Sequence, residues 1–246
     1  MDYKLSSRKF TAPNGRTMKF WYRENTNDLD TIRGAFEEDE YKICNLKFEK
    51  DDIVIDLGAH IGGVTLLLAS MRPELKIFAY EAVRENFNLL LKNVRENNIK
   101  SEITLENQAV WFYEEDEVKV YYGNNSEDGR KHKFIGSLFA KRDFYDKRVF
   151  KMAQATNLSE IFEYHYIRNC KFMKMDVEGS EYGIIKAAPK EILEMIERIH
   201  GEYHWIGVTP LKNPRSSLLK LAKGVYKDIT PGKEIYPVGP FVFVKK

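Results

Sequence analysis

The chain has few cysteines, no long apolar run and almost no net charge. Each of these features argues against a class of protein. Its two cysteines, Cys44 and Cys170, lie far apart and form no CxxC pair, which excludes a disulfide scaffold and a cysteine zinc site. The longest apolar run, at residues 64–71, is much shorter than the ~20 residues of a membrane-spanning helix. With 39 Lys and Arg against 37 Asp and Glu, the net charge of +2 gives no reason to expect nucleic acid as a partner.

The first ten residues, MDYKLSSRKF, contain no apolar core of the kind that secretory signals have. The cysteine usage is typical of a reducing compartment. We therefore expect a cytoplasmic protein without a membrane partner. No pattern in the sequence predicts an oligomeric state.

Apolar runs alternate with amphipathic stretches from residue 52 onward. This alternation is typical of an α/β fold, in which a mostly parallel sheet carries helices on both faces. The chain is predicted to end in an antiparallel hairpin, and Pro189 is predicted to break the helix that spans residues 180–196. Seven strands are predicted, at residues 53–57, 76–80, 103–110, 170–177, 198–204, 225–229 and 241–244.

Two regions depart from this alternation. Residues 1–50 carry short mixed segments and are predicted to form an N-terminal cap or arm. Residues 51–246 then form the main domain, within which residues 111–157 are an insertion with two strands of its own. We expect one α/β domain with these two additions.

The turn after the first predicted strand carries an informative motif. The strand contains Asp56, and the residues Gly58, Ala59, His60 and Gly62 then lead into a helix. Backbone N–H groups at such a helix start bind carboxylate or phosphate groups. A dinucleotide-binding motif needs glycine at the position of His60. The pattern Asp-x-Gly-Ala-x-x-Gly is similar instead to the first motif of S-adenosylmethionine-dependent methyltransferases, and these five residues are candidate cofactor ligands.

Polar residues also end the next two predicted strands. Glu81 follows the second strand, where a carboxylate can accept hydrogen bonds from both hydroxyl groups of a ribose. Gln108 and Ala109 lie at the end of the third strand, where they are candidates to contact an adenine ring. The simpler interpretation of each is a solvated residue at a strand end, but the preceding motif favours the cofactor role.

With these motifs the sequence resembles the FkbM-like family of S-adenosylmethionine-dependent methyltransferases. The most specific match is Lys-Met-Asp-Val-Glu-Gly-Ser-Glu at residues 174–181, which is similar to the family's Lys-x-Asp-Val-Glu-Gly-x-Glu signature. The sequence departs from the family pattern at Ala82, where proline is frequent, and at Ser159, where aspartate is frequent.

The resemblance implies a Rossmann-like class I methyltransferase fold with a mostly parallel seven-stranded sheet. It implies S-adenosyl-L-methionine as the cofactor and S-adenosyl-L-homocysteine as the product, with Asp176 near the methionine part of the cofactor. It also implies methyl transfer, usually to an oxygen atom of a sugar or another small metabolite.

Four titratable residues end the fourth and fifth predicted strands, namely Asp176, Glu178, Glu202 and His204. Ligands bind at this edge of an open α/β sheet, and such clusters are frequent in active sites. Transfer to a hydroxyl group needs a base that removes its proton as the new bond forms. His204 is the first candidate because imidazole titrates near pH ~6.5, and Glu202 and Glu178 are the alternatives. A hydrogen-bonded wall residue is the competing role for His204.

A divalent cation on Asp176, Glu202 and His204 is a less favoured alternative, and no metal ligand is predicted. His200 shares a strand face with His204, but the rise of a strand separates them by about 13 Å, too far to share one ion. Lys174 is unusual in a central strand, and we expect its ammonium group to pair with Asp56.

The acceptor is expected to be a small molecule, and a basic segment favours an anionic or nucleotide-linked sugar. Eight Lys and Arg lie between residues 130 and 151 against Asp143 and Asp146, with aromatic residues among them. Such a segment attracts anionic, sugar-like ligands, although a solvated loop is the simpler interpretation. The alternatives for the whole protein are methylation of a protein or a nucleic acid, and a non-catalytic protein that binds the cofactor.

Overall fold

The computed structural model of the protein describes residues 3–71, 74–122, 136–137, 150–205, 213–233 and 237–246. The strands in these ranges are β1 (Leu5–Thr11), β2 (Thr17–Arg23), β3 (Ile53–Leu57), β4 (Lys76–Tyr80), β5 (Glu102–Glu106), β6 (Ala109–Val110), β7 (Glu117–Tyr122), β8 (Gly136–Ser137), β9 (Phe150–Thr156), β10 (Phe172–Met175), β11 (Arg198–His204), β12 (Tyr226–Asp228) and β13 (Val238–Lys245). The helices are α1 (Asp28–Phe36), α2 (Gly63–Met71), α3 (Arg84–Arg95), α4 (Leu158–Tyr164), α5 (Glu181–Ala187), α6 (Lys190–Glu194) and α7 (Pro214–Leu221).

Seven of the strands form one sheet in the order β12-β13-β11-β10-β3-β4-β5. The strands β11, β10, β3, β4 and β5 are parallel, whereas β13 runs antiparallel to both β11 and β12. The prediction of an α/β fold with a mostly parallel seven-stranded sheet and an antiparallel C-terminal hairpin is therefore confirmed.

Helices cover both faces of this sheet because successive residues of its central strands are apolar and point to opposite sides. In β3, Val54 packs in one buried cluster with residues of α1 and α2, whereas Ile55 packs in another with residues of α4 to α7. Both side chains are fully buried, and the burial of each contributes about 1.5–3 kcal/mol. The sheet is thus stabilised from both sides.

The helices are short, and the predicted break at Pro189 is present. Pro189 lies between the end of α5 and the start of α6, since proline has no N–H group to continue a helix. Among the helices of the described ranges, none is long and apolar enough to cross a membrane.

The N-terminal residues pack directly onto the main domain. The strands β1 and β2 pair in an antiparallel hairpin, and Phe20 of β2 lies in the same buried cluster as Ile32 of α1 and Leu66 of α2. A buried ion pair joins the hairpin to α1, because Arg23 donates to both carboxylate oxygens of Asp28. The division at residue 50 into a cap and a main domain stays a prediction.

Three strands of the insertion form a separate sheet with β6, in the order β6-β9-β7-β8. The sequence predicted one strand over residues 103–110, but the structure divides it into β5 and β6. Between them, the side chain of Asn107 donates hydrogen bonds to the backbone oxygens of Glu81 and Ala82. Such side-chain bonds compete with a strand ladder, and β6 pairs with β9 instead of continuing along β4.

Candidate active site

A cavity of about 520 Å³ lies beyond the carboxyl ends of β3 and β10. These strands are neighbours in the middle of the sheet, and the chain continues from β3 to β4 and β5 on one side and from β10 to β11 on the other. Ligands of open α/β sheets bind at such a switch point, and the volume is typical of ligand sites. The cavity is therefore the candidate active site.

Most of the residues predicted for the site line this cavity. They are Gly58, Ala59, His60, Glu81, Gln108, Ala109, Asp176, Glu178 and Glu202. The other three lie behind the wall and contact it: Gly62 donates to the backbone oxygen of Ala59, Asp56 pairs with Lys174, and His204 lies beside Glu178.

Gly58 lies against the end of β10 with a φ of +75°. A Cβ atom here would be 1.9 Å from the backbone oxygen of Asp176, so only glycine fits. The N–H groups of Gly58 and Ala59 donate to the backbone oxygen of Tyr80, and that of His60 donates to a carboxylate. These three N–H groups already have acceptors within the protein, and their bonds fix the shape of the turn.

Behind the turn, Lys174 and Asp56 form the buried ion pair that the sequence predicted. The strand register places them side by side, with 3.5 Å between Nζ and Oδ1. Lys174 also donates to the backbone oxygens of Leu57 and Gly58. Burial lowers the pKa of Lys174, but the carboxylates of Asp56 and Asp176 outweigh burial and raise it. The charged amine thus connects β10 to the turn after β3.

Glu81 follows β4, and both oxygens of its buried carboxylate accept backbone hydrogen bonds. Oε2 accepts from the N–H group of His60 and Oε1 from that of Val83, each at 2.8 Å. Burial raises the pKa of Glu81, although these two bonds lower it in part. Oε1 also accepts from the side chain of Asn86 at 3.4 Å. Since each carboxylate oxygen can accept two hydrogen bonds, Oε2 keeps acceptor capacity at the cavity wall.

His204, at the end of β11, is surrounded by four carboxylates. Its Nδ1 lies 3.1 Å from Glu181, and its Nε2 lies 3.5 Å from Glu178, 3.7 Å from Glu202 and 4.0 Å from Asp176. Burial lowers the pKa of His204, but the carboxylates outweigh burial and raise it to about 10. The ring is therefore doubly protonated and positively charged near neutral pH.

The pKa values of Glu202 and Asp176 are shifted in opposite directions. Burial and the charge of Asp176 raise the pKa of Glu202 to about 7. Burial also raises the pKa of Asp176, but Lys174, His204 and a hydrogen bond from Tyr41 lower it below its usual value. The hydroxyl of Tyr41 donates this bond to Oδ2 at 2.7 Å. Neighbouring carboxylates with separated pKa values are typical of acid–base sites.

The signature and the turn both lie within a stretch that matches a known family. Residues 56–211 match the family model described as the methyltransferase FkbM domain. The chain belongs to this family. The match confirms the resemblance found in the sequence, whereas no curated protein matches the chain.

Three solved structures that are similar to this FkbM methyltransferase are distant from it in sequence. TYW2 of P. horikoshii, solved in complex with MeSAdo, is 14% identical over 98% of this chain and 70% of that one, with a TM-score of 0.47. A SAM-dependent O-methyltransferase from Thermotoga maritima is 13% identical over 97% and 77% of the chains, with a TM-score of 0.45. A putative rRNA-methylase from Clostridium thermocellum is 13% identical over 85% and 94%, with a TM-score of 0.51. The last similarity shows a shared methyltransferase fold.

Two residues that contact the candidate active site were not predicted from the sequence. Glu181 belongs to the signature at residues 174–181, so a signal for it was present. Tyr41 lies before the family match, and no motif marks it, although its hydroxyl contacts Asp176 and its backbone oxygen lies 2.8 Å from Nδ1 of His200.

Within the described part of the chain, one group of potential metal ligands consists of Asp176, Glu181 and His204, with ligand atoms within 4.8 Å of one another. Glu181 accepts hydrogen bonds from the N–H groups of Val177 and Gly179, and His204 carries a proton on each nitrogen near neutral pH. Both features compete with a cation, so a metal stays the less favoured alternative.

The basic segment that favoured an anionic acceptor lies almost wholly outside the described residues. Its eighth basic residue, Lys151, is described and forms an ion pair with Glu85. The other seven are not described, namely Arg130, Lys131, Lys133, Lys141, Arg142, Lys147 and Arg148. The described wall of the cavity instead carries two permanent cations, Arg33 and Lys174, against seven carboxyl groups, those of Asp30, Glu38, Glu40, Glu81, Asp176, Glu178 and Glu202.

Proposed function

We propose that this FkbM methyltransferase transfers the methyl group of S-adenosylmethionine to a hydroxyl oxygen of a small, sugar-like molecule. The group of Asp176, Glu178 and Glu202 on the cavity wall, beside the charged ring of His204, carries this proposal. Activation of a hydroxyl group needs a proton acceptor and fixed neighbouring charges that hold this acceptor in place. The group at the cavity wall contains the acceptor and the charges.

The residues of the cavity fit the cofactor. Asp176 Oδ1 is buried and makes no hydrogen bond within the described residues, so it suits the amino group of the methionine moiety. Glu81 suits the ribose hydroxyls, and Gln108 and Ala109 suit the adenine edge. Asp56 acts from behind the wall, through Lys174. When bound, the cofactor supplies a methyl group on a positively charged sulfur.

Glu202 is the best candidate for the base in this proposal. With a pKa of about 7, its carboxylate can accept the proton of a hydroxyl group near neutral pH. His204, the first candidate from the sequence, keeps both ring protons in that range and serves instead as the positive partner of the carboxylates. Glu178 remains the alternative base, since it lies on the same wall and at 3.5 Å from the same ring nitrogen.

A neutral or amino sugar fits the described wall better than an anionic one. The carboxylates on that wall repel an anion from the cavity. Hydroxyl groups can instead donate hydrogen bonds to these carboxylates. The anionic or nucleotide-linked acceptor expected from the basic segment is therefore the second choice, and it serves as a separate arm of the acceptor test.

Isothermal titration with S-adenosylhomocysteine tests the cofactor. We expect one site per chain and at least tenfold weaker binding by Asp176→Asn, because the amide loses a charge-assisted hydrogen bond worth about 1.5–3 kcal/mol. Asp51→Asn changes an exposed aspartate before β3 and is the matched control, with parent-like binding expected. A folded parent that does not bind would contradict the proposal.

Transfer of a radiolabelled methyl group to glucose, glucosamine or glucuronic acid then tests the acceptor. We expect glucose or glucosamine to be labelled, and labelling of glucuronic acid alone would favour the anionic acceptor. Labelling of protein or RNA alone would favour the macromolecular alternative. Cofactor binding without turnover over a broad panel of acceptors would favour a non-catalytic protein.

A further inference from the structure

Glu181 is fully buried at the first position of α5 and is not among the residues of the described cavity wall. Its Oε1 lies 3.1 Å from Nδ1 of His204. The other ring nitrogen of His204 lies 3.5 Å from Glu178 and 3.7 Å from Glu202, and both of these do line the cavity. Glu181 and the wall carboxylates therefore contact different nitrogens of one ring.

The carboxylate of Glu181 is held by backbone N–H groups. It accepts from Val177 and Gly179 at 3.1–3.2 Å and from the N–H group of His204 at 3.4 Å. These bonds hold both carboxylate oxygens in place. Glu181 is thus an anchored carboxylate beside His204, and it also closes the turn that carries Glu178.

That turn has an unusual backbone. Glu178 has a φ of +54° and Gly179 a φ of +115°, and a residue other than glycine occupies the left-handed region only where its surroundings hold it there. The N–H groups on either side of Glu178 donate to Glu181. Glu181 therefore supports Glu178 through the backbone as well as through His204.

We propose that Glu181 is the positioning residue of this site: it fixes the ring of His204 in the orientation that holds the carboxylates of Glu178 and Glu202 at the cavity wall. The inference rests on the proposed function. A buried carboxylate that contacts one ring nitrogen sets the orientation and the charge of an imidazole whose other nitrogen faces the reaction. Removal of its charge is expected to lower the pH at which the ring loses its second proton and to disturb the alignment of the wall carboxylates.

Nuclear magnetic resonance of the histidine side chains in ¹⁵N-labelled full-length protein tests this role. The chain has five histidines, and His204→Asn assigns the signal of interest. The groups that face the ring are Glu181 from α5, Asp176 and Glu178 after β10, and Glu202 from β11. In the parent we expect both ring protons to remain through pH 8, whereas in Glu181→Gln one proton should be lost at a pH lower by about 1–3 units.

Two variants separate positioning from folding. Glu191→Gln changes an exposed glutamate on α6 and should leave the His204 titration unchanged. Glu181→Asp keeps the charge and should restore most of the parent titration, and it also provides the measurement if Glu181→Gln does not fold. A Glu181→Gln protein that unfolds at a lower temperature but titrates like the parent would overturn the inference, because the role would then be structural alone. The same result would follow from a Glu181→Asp protein that lacks the doubly protonated ring at neutral pH.

Binding of S-adenosylhomocysteine keeps this inference distinct from the proposed function. Since Glu181 is not on the described wall, we expect its affinity in Glu181→Gln to stay within about threefold of the parent, which corresponds to less than about 1 kcal/mol. A loss of binding as large as that of Asp176→Asn would contradict a role through His204. If the parent does not bind, the proposed function is contradicted. The His204 titration would still decide whether Glu181 positions the ring.

Discussion

The two sides of the candidate active site are stabilised in different ways. The turn side consists of residues 56–62 with Lys174, where hydrogen bonds, a buried ion pair and steric exclusion fix the backbone. The carboxylate side consists of Asp176, Glu178, Glu202 and His204, where like charges crowd around one imidazolium ring.

This difference separates binding from reactivity. Hydrogen bonds, a buried ion pair and steric exclusion hold the turn side, so its shape is expected to be constant while a cofactor enters and leaves. The carboxylate side contains a glutamate with a pKa of about 7, so its charge changes in the range in which a proton must be taken from an acceptor. Mutations on the turn side should therefore act on stability at every pH, whereas those on the carboxylate side should act on its pH dependence.

The largest expected effect is that of Lys174→Met on the turn side. It removes the cation beside the fully buried carboxylate of Asp56, and an uncompensated buried charge costs about 3–5 kcal/mol. Urea unfolding measures this loss, and addition of Asp56→Asn should recover part of it. Lys171→Met is the control, because Lys171 forms a partly exposed ion pair with Glu197 that contributes at most about 1 kcal/mol. Equal losses of unfolding free energy in Lys174→Met and Lys171→Met would contradict a stabilising ion pair between Lys174 and Asp56.

The next effect is that of Gly58→Ala, which tests steric exclusion at the turn. The new Cβ atom would lie 1.9 Å from the backbone oxygen of Asp176, and the strain of overpacking together with the left-handed backbone should cost about 2–4 kcal/mol. Gly15→Ala is the matched control, since Gly15 has a φ of +82° and no atom within 4 Å of its added Cβ. It should lose only about 1 kcal/mol. A Gly58→Ala protein as stable as Gly15→Ala would show that β10 can move away from the turn.

The turn side was largely predictable from the sequence because its features are local or follow from strand alternation. The glycine spacing after β3 is a local pattern, and Lys174 in an otherwise apolar strand indicated a buried partner, which the register of β3 and β10 supplies in Asp56. The end of β5 was not predictable in the same way. It depends on the bonds of Asn107 to the end of β4, which apolar periodicity does not report.

The residues of the carboxylate side were predicted from the sequence, but the charge state of His204 was not. The sequence placed Asp176, Glu178, Glu202 and His204 at one edge of the sheet, and His204 was preferred as the base for its ordinary pKa. The surrounding carboxylates raise its pKa to about 10, and the strongest of them, Glu181, approaches from α5 at 3.1 Å. Distances between separate elements are not encoded in any local pattern, so this shift was not accessible from the sequence.

The smallest expected effect, that of Glu202→Gln, tests the carboxylate side directly. A glutamate in the unfolded chain has a pKa near 4.5, and in the folded protein that of Glu202 is about 7. Between these values the folded protein holds a proton that the unfolded chain has lost, so this contribution to stability is complete below pH 4.5 and is lost as the pH rises through about 7.

Because glutamine does not titrate, the free energy of unfolding of the parent should fall between pH 5 and pH 8 by about 2 kcal/mol more than that of Glu202→Gln. Urea unfolding at both pH values measures the difference, and Glu191→Gln, which changes an exposed glutamate, should follow the parent. Parallel pH profiles of the parent and Glu202→Gln would show that Glu202 is ionised throughout this range. The carboxylate side would then be as insensitive to pH as the turn side, and Glu178 would replace Glu202 as the candidate base.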